Sequence, residues 1–414
     1  MENNKSNTLY SWIVVVLLWV VALLNYMDRQ MLSTMRSSMM VDIHELEMAE
    51  NFGKLMAIFL WIYGFMSPLA GLIADRFNRK LLIVISLFVW SGVTFSMGYT
   101  NNFKVLFVLR AVMGISEALY IPAGLSLIAD YHQGSTRSLA IGIHMTGLYV
   151  GQALGGFGAT VALIYSWHLA FHFFGIIGMV YSLVLIVFLR EYRYRPRITE
   201  MKFNNGGLHS IGGSLSLLLG MTSFWIIMFY FAIPSISGWA VKNWMPTLFS
   251  SSLRINMSQA GPLATITIAI SSLLGVIIGG IFSDRWIRYN LRGRIYTSVI
   301  GLSLTIPALL FFGLGQGFLW IVGGAILFGL GYGIFDANNM PILCQFVPPG
   351  QRATGYGLMN MMGVFAGALI TWLLGKSTDS GHLGRDMTFI AIPVVVAIVL
   401  QLMLLRPTTA NKLD

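Results

Sequence analysis

Apolar residues along this chain of 414 come in long blocks separated by short polar stretches. The first block reads "WIVVVLLWVVALL", and eleven more follow it. Each is near the ~20 residues that carry a helix across a bilayer core of ~30 Å. A membrane β-barrel would show shorter segments alternating apolar and polar, and that pattern is absent. The blocks predict an all-α membrane protein of twelve transmembrane helices. The first six spans cover 11–33, 54–75, 81–99, 104–130, 136–163 and 167–190. The second six cover 221–250, 260–283, 295–314, 318–346, 351–375 and 387–406. The first block has no small-residue cleavage site and outruns a signal peptide, so it reads as a retained span.

Composition agrees. The chain is 56% hydrophobic and 10% charged, whereas soluble domains carry roughly 25% charged residues. The net charge of +10 raises the question of nucleic acid, and the placement of the charges answers it. With the N-terminus inside, seventeen Lys and Arg fall in inside segments. The outside loops hold five: Arg36, Lys104, Arg254, Lys376 and Arg385. That bias is the positive-inside pattern with both termini cytoplasmic, so the basic balance reflects topology and no nucleic-acid partner is expected. The single cysteine, Cys344, excludes an internal disulfide framework and a Cys-based metal site.

The chain repeats itself at about half its length. "GLIADR" ending at Arg76 and "GIFSDR" ending at Arg285 share G-x-x-x-D-R. "RSLAIG" (137–142) matches "RATGYG" (352–357), and "EALYIP" (117–122) matches "DANNMP" (336–341) as acid-Ala-x-x-x-Pro. Such offsets indicate a duplicated six-helix unit. The domains are therefore 1–190, an N-terminal bundle; 191–220, a cytoplasmic linker beginning "EYRYRPR"; and 221–414, a C-terminal bundle. Parallel repeats facing each other across a midplane cavity are a standard transporter architecture.

These features resemble the major facilitator superfamily over the whole chain. "GLIADRFNRK" (71–80) looks like its loop motif between spans two and three, with Asn78 where Gly is usual, and "DRWIRYNLRGR" (284–294) looks like the weaker second copy. Within the superfamily, N-Y-x-D-R in span one with R-x6-E in span four resembles the anion:cation symporter family; here these are Asn25, Tyr26, Asp28, Arg29, Arg110 and Glu117. The resemblance implies substrate contacts at Tyr63, Gln152 and Asn360. Spinster-type lipid transporters share the same span-one and span-four motifs and are the rival resemblance.

Arg110 and Glu117 are two helical turns apart and face the same way. Asp28 and Arg29 fall at a similar depth on span one. None of these charges suits lipid, where insertion scales give about 2.5–3.5 kcal/mol each. They are either two structural salt bridges or a cavity constellation. In the second reading Arg29 and Arg110 bind a carboxylate through their planar forks. Removal from water favours the neutral form of a carboxyl, which makes Glu117 the first choice for the coupling proton and Asp28 the second. Each proton moving inward is driven by about 2.3 kcal/mol per 100 mV.

In the second half, Asp336 is either a polar helix contact or a further protonation site, with Asn338 and Asn339 as hydroxyl ligands. Lys242 either snorkels to the interface or adds a cation to the cavity mouth. Trp244 either stacks on a sugar ring or anchors at the interface. Asp75, Arg76, Arg79, Asp284 and Arg285 lie at cytoplasmic helix ends and read as gate elements. His144 reads as a hydrogen-bonded structural residue. His168 and His172 have metal spacing but no carboxylate or thiol nearby, and no metal is expected. No P-loop or nucleophile triad appears, so no enzyme activity and no cofactor are expected.

The sequence thus predicts a functional monomer in the bacterial inner membrane, contacting lipid and driven by the proton gradient. It would carry H⁺ with a small organic anion, a sugar acid of the hexonate, hexuronate or sialic-acid type. A spinster-like exporter of amphipathic lipid is the alternative. A membrane solute sensor is a second, although no signalling domain follows residue 407.

Overall fold

A computed structural model describes residues 2–132, 136–192, 218–315, 317–347 and 352–407. The expected linker lies mostly outside these residues. Among them the structure is helical, with twelve helices long and apolar enough to span a membrane. The six spans of the first half are Leu9–Met39, Ala49–Gly71, Arg79–Met97, Phe103–Tyr131, Leu139–Ile164 and Trp167–Phe188. Those of the second half are Thr222–Leu253, Met257–Trp286, Gly293–Leu314, Phe318–Phe346, Thr354–Asp379 and Leu383–Leu404. They form two six-helix bundles. Spans six and twelve bury only 28% and 33% of their most apolar windows, which puts them on the lipid face.

Span one runs past its apolar block to Met39. Its polar continuation stays helical, and its hydroxyls are satisfied by bonding back to the preceding turn: Ser33 to Gln30 O at 2.7 Å and Thr34 to Met31 O at 2.8 Å.

The repeated acid-Ala-x-x-x-Pro sequences have a structural meaning. Span four is broken at Leu119, between helices Phe103–Ala118 and Tyr120–Tyr131. Span ten is broken after Asp336, and its second piece starts at Asn339. A proline cannot bond the carbonyl four residues back and its ring clashes with that carbonyl. Pro122 and Pro341 therefore interrupt the ladder at Ala118 and Ala337, one residue beyond Glu117 and Asp336. Both acids sit beside a break, Glu117 buried and Asp336 exposed.

Small residues let backbones touch, as in other membrane bundles. Gly147, Gly151 and Gly155 lie four apart on span five, where a Cβ would meet the Trp19, Leu23 and Met27 carbonyl oxygens of span one at 2.7, 2.2 and 2.6 Å. Between the halves, span two lies along span eleven and span five crosses span eight.

An even number of spans puts both chain termini at one end of the molecule. The opposite, far end is closed. There Thr160 bonds Ser258 O at 2.8 Å, Thr265 bonds Ala153 O at 3.1 Å, and a Cβ at Gly261 would lie 2.4 Å from Gly156 O. Met48, at the N-cap of span two, has no side chain that caps. Asp379 of span eleven does so across the interface, accepting from Ala49 N at 2.6 Å and Glu50 N at 2.8 Å. A carboxylate there also meets the positive end of the helix dipole. Toward the termini end, Asn360 donates to Ser67 at 3.1 Å. Among the described residues, no hydrogen bond crosses between the halves closer to that end.

Candidate functional site

Midway through the first bundle, Arg29 Nε donates to Glu117 Oε2 at 2.6 Å, and Asn25 donates to the same oxygen at 2.9 Å. Glu117 is fully buried. The Arg29 guanidinium lies 5.1, 4.8 and 4.7 Å from the ring centres of Tyr26, Phe59 and Tyr63. The faces of these rings favour a cation. Arg29 Nη2 and Glu117 Oε1 are buried and have no hydrogen-bond partner. The pair thus keeps one donor and one acceptor free.

Arg110 is buried against the same Phe59 ring, 4.7 Å from its centre. Its Nη1 reaches Met113 Sδ at 3.1 Å, and its Nε has no partner. Asp28 is buried as well, yet it turns away from Arg29 toward span three, where Thr94 donates at 3.4 Å. Adjacent residues on a helix point about 100° apart, since a turn takes 3.6 residues. Asp28 therefore does not compete for Arg29; Glu117 does.

The second half contributes a tyrosine-lined face. Asp336 is exposed in the space between the halves and accepts from Asn339 Nδ2 at 3.0 Å. Asn339 in turn accepts from the Tyr230 hydroxyl at 3.1 Å. Tyr149 of the first half and Tyr332 and Tyr356 of the second lie within electrostatic reach of Asp336, as does Lys242. The Lys242 ammonium stands 5.8 Å from the Tyr26 ring centre and 5.3 Å from that of Trp239.

Other expected residues lie elsewhere. Trp244 is fully buried in the far-end packing, donates to Thr371 O at 2.9 Å, and meets Phe52 edge-on, away from the tyrosine face. Asn338 is turned back onto Ile334 O at 2.8 Å. Gln152 is buried on span five, and Asn360 bridges to Ser67. Of the expected gate residues, Arg79 pairs with Asp130 inside the first half. Asp284 stands 3.8 Å from Arg294, and Arg285 is exposed. The side chains of Asp75 and Arg76 lie outside the described residues.

Two arginines and two carboxyls thus lie together inside a helical bundle, and comparison with known proteins places the fold. The sequence profile of the Major Facilitator Superfamily matches residues 18–371. The chain belongs to the major facilitator superfamily. It is a multi-pass membrane transporter rather than an enzyme.

Among superfamily relatives, the chain is 24% identical to the probable galactarate/D-glucarate transporter of Escherichia coli (strain K12), covering 96% of this chain and 95% of that protein. It is 26% identical to spinster homolog 1 of Xenopus tropicalis, covering 92% and 75%. In fold it is similar to a bacterial homolog of the human lysosomal transporter spinster in an inward-facing, unoccupied conformation. The TM-score there is 0.76 at 19% identity, covering 95% and 96% of the two chains.

Tyr149, Tyr332 and Tyr356 were not among the expected site residues. For Lys242 the structure favours the second of its two readings, a cation facing the cavity beside Tyr26 and Trp239.

Proposed function

We propose that the protein is a proton-coupled symporter of a sugar acid, working by alternating access in the bacterial inner membrane as a monomer with cytoplasmic termini. The observation that carries this reading is the buried Arg29–Glu117 pair, with its free donor and free acceptor. A substrate carboxylate takes the Arg29 N–H groups that Glu117 leaves open. A proton on Glu117 cancels the charge that competes for Arg29, so proton and anion assist each other's binding. That mutual assistance is the thermodynamic content of coupling. Asp28, close to this pair but outside it, serves as the second proton-carrying group. Tyr26 and Tyr63 shape the carboxylate pocket, while Gln152, Asn339, Asn360 and Asp336 serve the hydroxyl groups.

With cytoplasmic termini, the closed far end corresponds to the inward-facing state, and Arg79, Asp284 and Arg294 sit at the helix ends that must rearrange when the termini end closes. The sugar-acid relatives support the substrate class, as do the tyrosine and asparagine side chains of the cavity.

The test is uptake of labelled sugar acids into proteoliposomes under an imposed inward proton gradient, with a gradient-free control. Accumulation that collapses with a protonophore supports the reading. The fold shared with a spinster homolog favours a second reading, transport of an amphipathic lipid. Movement of a lysolipid with no uptake from a broad sugar-acid panel would establish that instead.

A further inference from the structure

Lys242, in the far half of span seven, makes no ion pair within 4.0 Å among the described residues. Its three N–H donors face the rings of Tyr26 and Trp239, which attract a cation and offer no oxygen acceptor on their faces. Asp336 lies within electrostatic reach, yet its Oδ1 is engaged by Asn339. Lys242 and Arg29 belong to opposite halves but share one ring, standing 5.8 and 5.1 Å from the centre of Tyr26. Those two distances place the cations no more than about 11 Å apart. Their levels are locked together, because Gln30 Nε2, next to Arg29, donates to Lys242 O at 3.0 Å.

We propose that Arg29 and Lys242 form a two-cation clamp and that the preferred substrate carries a carboxylate at each end of a hydroxylated chain. The proposal rests on the sugar-acid reading and narrows it from one carboxylate to two. Carbon–carbon bonds of roughly 1.5 Å bring both ends of a chain of about six carbons within reach of the two cations. One carboxylate takes the free N–H groups of Arg29, and the other takes the ammonium of Lys242. A monoacid satisfies Arg29 but leaves Lys242 facing aromatic rings with no anion within 4.0 Å among the described residues, whereas a second carboxylate supplies the ammonium with a charged acceptor. Because the clamp draws on both halves, the diacid also holds span one to span seven.

The experiment is equilibrium binding to the purified full-length protein by titration calorimetry. Two probe pairs serve, galactarate with galactonate and glucarate with gluconate. Each pair differs at one terminal carbon, carboxylate against hydroxymethyl. The diacid of at least one pair should bind tenfold or more tighter than its monoacid. Lys242→Gln should bring the two within about threefold by weakening the diacid alone, and Lys242→Arg should keep the preference. Equal binding of diacid and monoacid by the unmodified protein would overturn the clamp, as would an equal loss of both in Lys242→Gln. Failure of all four acids to bind would sink the sugar-acid reading itself, and the clamp with it.

Discussion

Glu117 accepts Arg29 Nε and Asn25 Nδ2 on a single carboxylate oxygen, leaving its other oxygen, Oε1, buried and unbonded. The ion pair and the vacant acceptor therefore coexist on one side chain. A proton arriving at Oε1 changes the charge that Arg29 feels without displacing either donor.

Glu117→Gln keeps the shape of that group and fixes it neutral. Gradient-driven accumulation should fall at least tenfold, while gradient-free counterflow of labelled substrate stays within about threefold. Accumulation at the unmodified level would move the coupling proton to another group.

Arg29→Gln leaves Glu117 buried without its cation, and removing one partner of a buried pair typically costs about 3–5 kcal/mol. Asp28 has no cation within 4.0 Å among the described residues, so Asp28→Asn removes no ion pair. Thermal unfolding in detergent should show a drop of several degrees for Arg29→Gln and a change within about 2 °C for Asp28→Asn. Asp28→Asn should nevertheless lose proton-driven transport.

Asp379→Ala takes the cap from span two and leaves Ala49 N and Glu50 N without acceptors when the far end is shut. Loss of a capping side chain costs about 1 kcal/mol, which corresponds to roughly a fivefold shift toward the open far end. Spin labels at Val41 and Leu319, both exposed, should report a larger long-distance population by pulsed electron resonance.

Gly261→Ala puts a methyl group 2.4 Å from Gly156 O, a backbone atom that no rotamer change can move. The far end should then stay apart, with the same labels reading long distances and transport falling more than tenfold. Native expression with unmodified transport would show that spans five and eight need not approach so closely.

Most of the fold was legible because block length is a direct measure of membrane crossing. The site was half legible. Arg29, Arg110, Glu117 and Asp28 stood out because lipid penalises charge. Their pairing did not, since it depends on helix rotation as well as depth. Asp28 and Arg29 are neighbours in sequence and face different spans. Trp244 and Lys242 are two residues apart, roughly 200° around the helix, so the lysine reaches the cavity and the tryptophan the far-end packing. The cross-bundle cap by Asp379 was not legible, because it joins residues 330 positions apart.

The breaks at Pro122 and Pro341 bear on how the cavity opens. A straight helix resists bending because bending severs its hydrogen-bond ladder. Spans four and ten have already surrendered that rung, at equivalent points of the two halves. Their terminal pieces, Tyr120–Tyr131 and Asn339–Phe346, meet the rest of each span at joints where a rung of the ladder is already missing, so bending there costs less than elsewhere along the helix. Duplication has thus supplied a matched pair of elbows, each with an acid at the crook, where the ionic state of the cavity meets the part of the wall that is easiest to fold.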